Sequence, residues 1–507
     1  SEPRRTVADS MSAPSSSGER VIVIGTGPAG AAAAMFLSRA GLRPLVLEAG
    51  LRQSLGFLVK VRGLTVAKRQ PTLRLREPIT RRGDTRAQLY EALAPGGLSN
   101  HWSCAVPRFS AEDFRDAARA GEQHAWPIDY ADLEPWYDAV EPLLRIAAGD
   151  RTSLHLPSSR AFVRQRLAAD WQPLAAAAQQ LGRDVAVMPY ANGASTLLTR
   201  SATGFNAFAQ LIRPAQRAGA LDVRYGTEVL RLEWSERERR VVAVTYRDAS
   251  TGSERRLPCR AVVLAAGAIN SAQIMLQSIS AAFPHGLGNE HDVLGRYLND
   301  HPLAKIVIDL DRPLSIFPAS YVTRAPLEGS VPLYATGCMQ WSGTNLLVRS
   351  LLKRRPWRDT SLGFTVFGTM ESLRDNRVEL AAQPAALGRT AIALHLQHEP
   401  LAQEALERGR DDLMEILRRA GVGPRLRVWK IEPPGNSVHY SGTCRMHASP
   451  RFGVVDRHCR VYGVPNVAIA DSSVFTTGPE KNPVLTAMAL AARASDHLAQ
   501  DLQRGMV

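Results

Sequence analysis

The sequence predicts an α/β fold: a Rossmann-like dinucleotide-binding domain interrupted by a second domain built on a β-sheet with helices. Three observations predict it. A strand, turn, helix and strand run from Val21 to Glu48 around Gly25-Thr-Gly27-Pro-Ala-Gly30. A later apolar run, Arg260–Gly267, reads as a buried strand returning to the same sheet, and an Ala-rich helix opens after Asn482. Between these landmarks lie long stretches without their signals, and 507 residues exceed what one core usually serves.

Taken in order, residues 1–19 are rich in Ser, Pro and Arg without an apolar run, and are expected to be a flexible tail and not an export signal. In the glycine motif, Gly25 permits the tight turn, Gly27 lets the backbone approach a pyrophosphate at the helix N-terminus, and Gly30 lets helix and strand pack closely. Glu48, ending the second strand, suits a ribose hydroxyl pair. The loop Ala94–Phe109 places Gly96 and Gly97 before small polar residues, so its backbone can lie against a flat ring. Gly97, Ser99, Asn100, His101 and Ser103 are its candidate ligand contacts.

Leu221–Trp234 and Val241–Tyr246 alternate apolar and polar residues as hairpin strands do, with Val229 a candidate contact to an adenine. The buried strand Arg260–Gly267 runs through Ala268–Ser271 into a helix expected over Ala272–Gln277, and Ala266 at its end joins the candidate contacts. These signals assign residues 20–110, 204–304 and 439–507 to the nucleotide domain. Residues 111–203 and 305–438 are left for the substrate-covering domain, and no internal repeat is visible.

Composition narrows the function classes. The net charge of +14 comes mostly from scattered arginines, with clusters only at Arg74, Arg76, Arg81, Arg82 and Arg86 and at Lys353–Arg355. Neither cluster sits in a nucleic-acid-binding motif, so no nucleic-acid partner is expected, and part of the first can face an anionic cofactor. Five cysteines without framework spacing point to a reducing compartment, and no CxxC or HxxxH pair supports a metal site. The longest apolar run, Ala261–Ile269, is too short to span a bilayer. A cytoplasmic enzyme is the simplest expectation.

The C-terminal stretch supplies chemistry. His439 stands before a Gly442-Thr443 turn, Asp471 heads Ser-Ser-Val-Phe475, and Asn482-Pro483-Val484 opens the last helix. An imidazole accepts a proton at neutral pH, and a neighbouring amide can orient the same oxygen. His301, His447 and His458 read as structural, and Cys104 and Cys444 as small buried hydrophobes.

On the Ala94–Phe109 loop, Trp126–Tyr137, His439–Met446 and Ser472–Ala491, the chain resembles the glucose-methanol-choline (GMC) oxidoreductase family, and within it the pyranose oxidase and bacterial sugar and polyol dehydrogenase branch. The resemblance implies FAD as cofactor, bound in a GMC-type domain through the residues above with Asp471, Pro483 and Val484. It implies alcohol oxidation with His439 as base and Asn482 as its partner, and it leaves FAD either covalently attached through His101 or held without a bond. Asn100 and Ser103 depart from the threonines of the pyranose oxidase loop.

The substrate class so implied is an alcohol of a sugar, glycoside or amino sugar, with a sterol or aliphatic alcohol as the alternative. A basic binding protein with a degenerate nucleotide fold is the reading from another class. Glu371, Arg374, Asp375, Asn376 and Glu432 are the candidate contacts for substrate hydroxyl or ammonium groups. Dioxygen, a quinone or a protein can serve as electron acceptor, and assembly into a homo-oligomer is left open.

Overall fold

The computed structural model describes residues 20–51, 73–76, 79–150, 155–191, 205–316, 320–323, 336–342, 358–384 and 390–507. The tail 1–19 and the Lys353–Arg355 cluster lie outside the described residues. The principal elements in chain order are β1 (Arg20–Ile24), α1 (Pro28–Arg39), β2 (Leu45–Leu47), β3 (Ile79–Gly83), α2 (Tyr130–Leu144), α3 (Gln172–Gln180), β4 (Asp184–Val187) and β5 (Asp222–Arg224). There follow β6 (Thr227–Ser235), β7 (Arg240–Asp248), β8 (Glu254–Leu264), α4 (Ala268–Gln277), β9 (Leu303–Ser315), β10 (Ser320–Thr323), β11 (Thr336–Ser342) and β12 (Arg358–Gly368). The chain closes with β13 (Arg377–Pro384), β14 (Thr390–Leu396), α5 (Pro400–Arg419), β15 (Arg425–Ile431), β16 (Val467–Ile469) and α6 (Val484–Gln503).

β1 lies at the centre of the nucleotide sheet because Ile22 and Val23 are apolar on both faces, as a covered parallel strand requires. The strand order is β6-β7-β8-β1-β2-β5, with β16 also paired to β8. β8 changes partner along its length. Its first half is antiparallel to β7, and its second half runs parallel to β1 with Val21 opposite Ala261 and Ile24 opposite Leu264. On this sheet α1 packs against α6, and both helices bury small residues fully, Ala31–Ala34 in one and Ala489, Ala491 and Ala492 in the other.

Three sequence expectations change here. The run Leu221–Trp234 is not one hairpin strand. Gly226, with φ of 62°, divides it into β5, parallel to β2, and β6, antiparallel to β7. α4 begins at Ala268, four residues earlier than expected. The stretch from Ala111 to Gly149, assigned to the substrate domain, buries Phe114, Trp126, Leu133 and Tyr137 in the core of the nucleotide domain, because α2 packs its apolar side on α6.

A second core lies beneath a six-stranded sheet in the order β15-β9-β12-β11-β10-β4. Strand alternation divides its side chains between two tasks. Ile306, Ile308, Leu362, Phe364 and Val366 face α3 and α5 in that core, whereas Leu303, Lys305, Thr365 and Phe367 line a cavity on the other side. A small sheet, β13-β14-β3, covers a third cluster with Leu298 and Tyr440.

Candidate active site

The glycine turn works by close approach. Gly25 has φ of 107°, and a Cβ there would run into the Ala265 carbonyl oxygen; a Cβ on Gly30 would run into the carbonyl of Gly25. Gly27 differs, since nothing lies within 4 Å of where its Cβ would be, and its face is open to a cavity of about 550 Å³. α1 starts there with no side-chain cap and no acidic residue in its first turn, leaving backbone N–H groups for an anion.

Along this cavity the chain brings together Gly25, Gly27, Glu48, Gly97, Ser99, His101, Ser103, Val229, Ala266, Asp471, Asn482, Pro483, Val484 and His439. Glu48 is buried at one end, where its carboxylate accepts from the Thr26 hydroxyl and from Gly50 N (2.7 Å). Burial raises it above the usual carboxylate range against those two hydrogen bonds. Asp471 joins the loops after β8 and β16, accepting from Gly267 N (2.9 Å), Ser271 Oγ (2.6 Å) and Ser473 N (2.9 Å). Arg76, from the first arginine cluster, also lines the cavity and donates to Asn270 (2.8 Å) and Gln273.

Two expected contacts stand elsewhere. Gly30 is a packing position behind the turn. Asn100 donates to the carbonyls of Pro95 (3.1 Å) and Gly97 (2.7 Å) and accepts from Asn206, so it shapes the loop and does not line the cavity. Trp102 lines the cavity and donates to the Phe205 carbonyl at 2.7 Å, which fixes the loop.

At the other end, His439 Nε2 lies 3.2 Å from Asn482 Nδ2. The Asn482 amide donates to Nε2, which places the ring proton on Nδ1, an atom without a partner among the described residues. Burial first, and then the neighbouring His301, hold the His439 imidazole well below the usual 6.5, so it is neutral at physiological pH. Phe367 stacks on its ring at 5.5 Å between centroids, and His301 meets it edge-on at 4.9 Å. The following turn is tied down by Thr443 Oγ1 to the Ala268 carbonyl (2.6 Å) and by Ser472 Oγ to the Tyr440 carbonyl (2.7 Å).

The substrate contacts expected from sequence do not line this cavity. Arg374 donates to Asp292, Asn376 pairs with the Gln397 backbone, Glu371 faces His124, Asp375 takes part in a surface ion pair, and the buried Glu432 pairs with Lys305. Leu303, Lys305, Thr365 and Phe367 of the six-stranded sheet line it instead, with Asn436 and Ser437. The strand alternation of Leu303–Ile308 was the available signal, and it names a two-faced strand without saying what lies beyond the polar face.

The donor set fits a dinucleotide flavin: an uncapped helix start, a buried acid, a long cavity, and a second helix start at Pro483 with no side-chain cap or acidic first turn. Among the described residues no helix is long and apolar enough to cross a membrane, and no group of His, Cys, Asp and Glu could hold a metal.

Comparison with known proteins agrees. Residues 88–303 and 372–491 match the two GMC oxidoreductase sequence models, and residues 19–74 match an FAD-binding domain. The 6'''-hydroxyparomomycin C oxidase of Streptomyces lividus is 28% identical, over 95% of this chain and 92% of its own. The paromamine 6'-oxidase of Streptomyces fradiae is 27% identical over 95% and 91%. The 2-methyl-1,2-propanediol dehydrogenase of Mycolicibacterium austroafricanum is 26% identical over 95% of both. The crystal structure of pyridoxine 4-oxidase from Mesorbium loti shares the fold with a TM-score of 0.64, at 15% identity, covering 96% of this chain and 99% of that one. The chain therefore belongs to the GMC oxidoreductase family and is an FAD-dependent oxidoreductase acting on CH–OH groups.

Proposed function

We propose that the protein oxidises one hydroxyl-bearing carbon of a sugar, glycoside or amino sugar to a carbonyl, with His439 as general base. The observation that carries this reading is the His439–Asn482 pair, set in the same cavity as Gly27 and Glu48. FAD, when bound, supplies the acceptor for the hydride that leaves the alcohol carbon. Gly25 and Gly27 with the start of α1 would hold its pyrophosphate, Glu48 its ribose and Val229 its adenine. Gly97, Ser99, His101, Ser103, Ala266, Asp471, Pro483 and Val484 would line the rest.

The residues of this chain handle the proton. His439 takes it from the substrate hydroxyl at Nε2 once that hydroxyl displaces the Asn482 amide from the Nε2 lone pair, so that electron density on the oxygen favours loss of the C–H hydrogen. Its neutrality makes it ready to do so. Asn482 hydrogen-bonds the same oxygen and fixes its direction. Phe367 and Leu303 exclude water from one side. The free N–H groups at the start of α6 favour negative charge nearby.

The sugar-like substrate is supported by the two aminoglycoside oxidases matched along nearly the whole chain. A panel of monosaccharides, glycosides, paromamine and 2-methyl-1,2-propanediol, mixed anaerobically with the yellow protein, tests it. Bleaching by a sugar or glycoside is the expected result, and bleaching by the small diol alone would reject the sugar reading. Readmitting air reads the acceptor, since prompt return of the colour makes dioxygen competent. Cys444 and Cys459 are buried free thiols, which supports a reducing compartment.

A further inference from the structure

The backbone that delivers His439 passes through an unfavourable conformation. Val438 has φ of 58°, in the left-handed region, where a β-branched residue is a steric outlier. Such a conformation persists only where its surroundings over-determine it. Here one carboxylate binds both flanks of the turn, beside the turn's own hydrogen bond from Val438 N to the Gly435 carbonyl (3.3 Å). Asp300 Oδ1 accepts from Ser437 Oγ (2.5 Å) and from His439 N (2.8 Å), while Oδ2 accepts from Gly435 N (2.8 Å) and Ser437 N (3.3 Å). Donors on both sides of Val438 thus converge on a single buried side chain.

Asp300 is itself held. His398 Nε2 donates to its carbonyl at 3.0 Å, and the adjacent Asn299 exchanges backbone hydrogen bonds with Ser441 at 2.9 and 3.1 Å. Next to it His301 sets its ring edge-on to that of His439. Residues 299–301 therefore grip the loop before, at and after the base.

We propose that Asp300 is a positioning residue for alcohol oxidation, clamping the strained turn at Val438 so that the His439 ring stays opposite Asn482. The proposal rests on the reading of His439 as base. It assigns Asp300 no contact with substrate or cofactor.

The test uses the flavin-loaded full chain and four variants: Asp300→Ala, His439→Ala, the two combined, and Asp300→Ala with Val438→Gly. Two readouts apply, amide hydrogen exchange over residues 433–441 and the anaerobic rate of bleaching by the panel alcohol that works fastest on the parent. Asp300→Ala should exchange those amides at least about tenfold faster, and bleach about a hundredfold more slowly at a half-saturating concentration within about threefold of the parent. Its effect should vanish when His439 is already Ala. Val438→Gly should return about tenfold of the loss, because glycine adopts positive φ without strain.

Unchanged exchange in Asp300→Ala, or an equal penalty with and without His439, overturns the clamp. Should that variant fail to fold, Ser437→Ala removes one donor only and should slow bleaching several-fold; an unaltered rate there overturns it as well. If no panel alcohol bleaches the parent, the functional reading fails, while the exchange measurement still decides the clamp.

Discussion

His439 and Asn482 are 43 residues apart in the chain and 3.2 Å apart in space. Each was legible in the sequence because each sits in a short motif, His-x-x-Gly-Thr and Asn-Pro before a helix, whose local geometry is self-contained. Asp300 was not legible as more than part of a turn, since its partners lie 135 to 139 residues away and only the fold unites them. Replacing His439 with Ala should leave FAD bound and slow reduction by about 10²–10⁴-fold, the usual worth of a general base; unchanged bleaching would remove it from that role. The pH dependence follows from its burial. A lowered imidazole keeps the base form into acid, so the acid-side midpoint of the reduction rate should lie below pH 6.5, and a midpoint at 6.5 or above would show an ordinary, solvated histidine. His101 lines the cavity with its imidazole lowered by burial, and acid precipitation decides how it is used: a yellow pellet means covalent FAD, a yellow supernatant means none.

At the scale of elements, the glycine motif makes a division that substitution can read. Gly27 has φ of −64° and open space where a Cβ would go, whereas Gly30 has the Gly25 carbonyl in that place. Gly27→Ala should therefore fold normally and lose affinity for FAD, because the methyl group occupies the face where a pyrophosphate would approach. Gly30→Ala should destabilise the protein itself by about 1–3 kcal/mol, the usual cost of overpacking. Denaturant midpoints of the flavin-free proteins separate the two, and equal midpoints would deny the distinction. The β1-α1-β2 unit was legible because its hydrophobic pattern, turn chemistry and helix start agree locally. β5 and β6 were not, because alternation continues through Gly226 while the hydrogen-bond partner changes, and a partner is a property of the sheet.

Across the whole molecule, the ion cluster beside the site ties distant segments together. Lys481 is 1% exposed, with Nζ 2.6 Å from Asp113 Oδ2 and 3.2 Å from Glu480 Oε1. Asp113 belongs to the stretch after Ser110 that packs into the nucleotide-domain core, and Tyr321, whose hydroxyl donates to Glu480 at 3.5 Å, stands in the six-stranded sheet. Burial disfavours the lysine's charge, but the two carboxylates outweigh it and keep the ammonium protonated. Removing one partner from such a group leaves an uncompensated buried charge, which costs about 3–5 kcal/mol, more than the intact group contributes. Lys481→Met should accordingly lower the unfolding free energy by that amount, read as a lower denaturant midpoint, and adding Asp113→Asn should recover part of it by removing one of the stranded charges. Because Lys481 immediately precedes Asn482, the single variant should also slow reduction, whereas a surface lysine would leave both quantities alone. A Lys481→Met protein with the parent's midpoint would show that the three parts of the chain are joined through apolar contact and not through this buried charge.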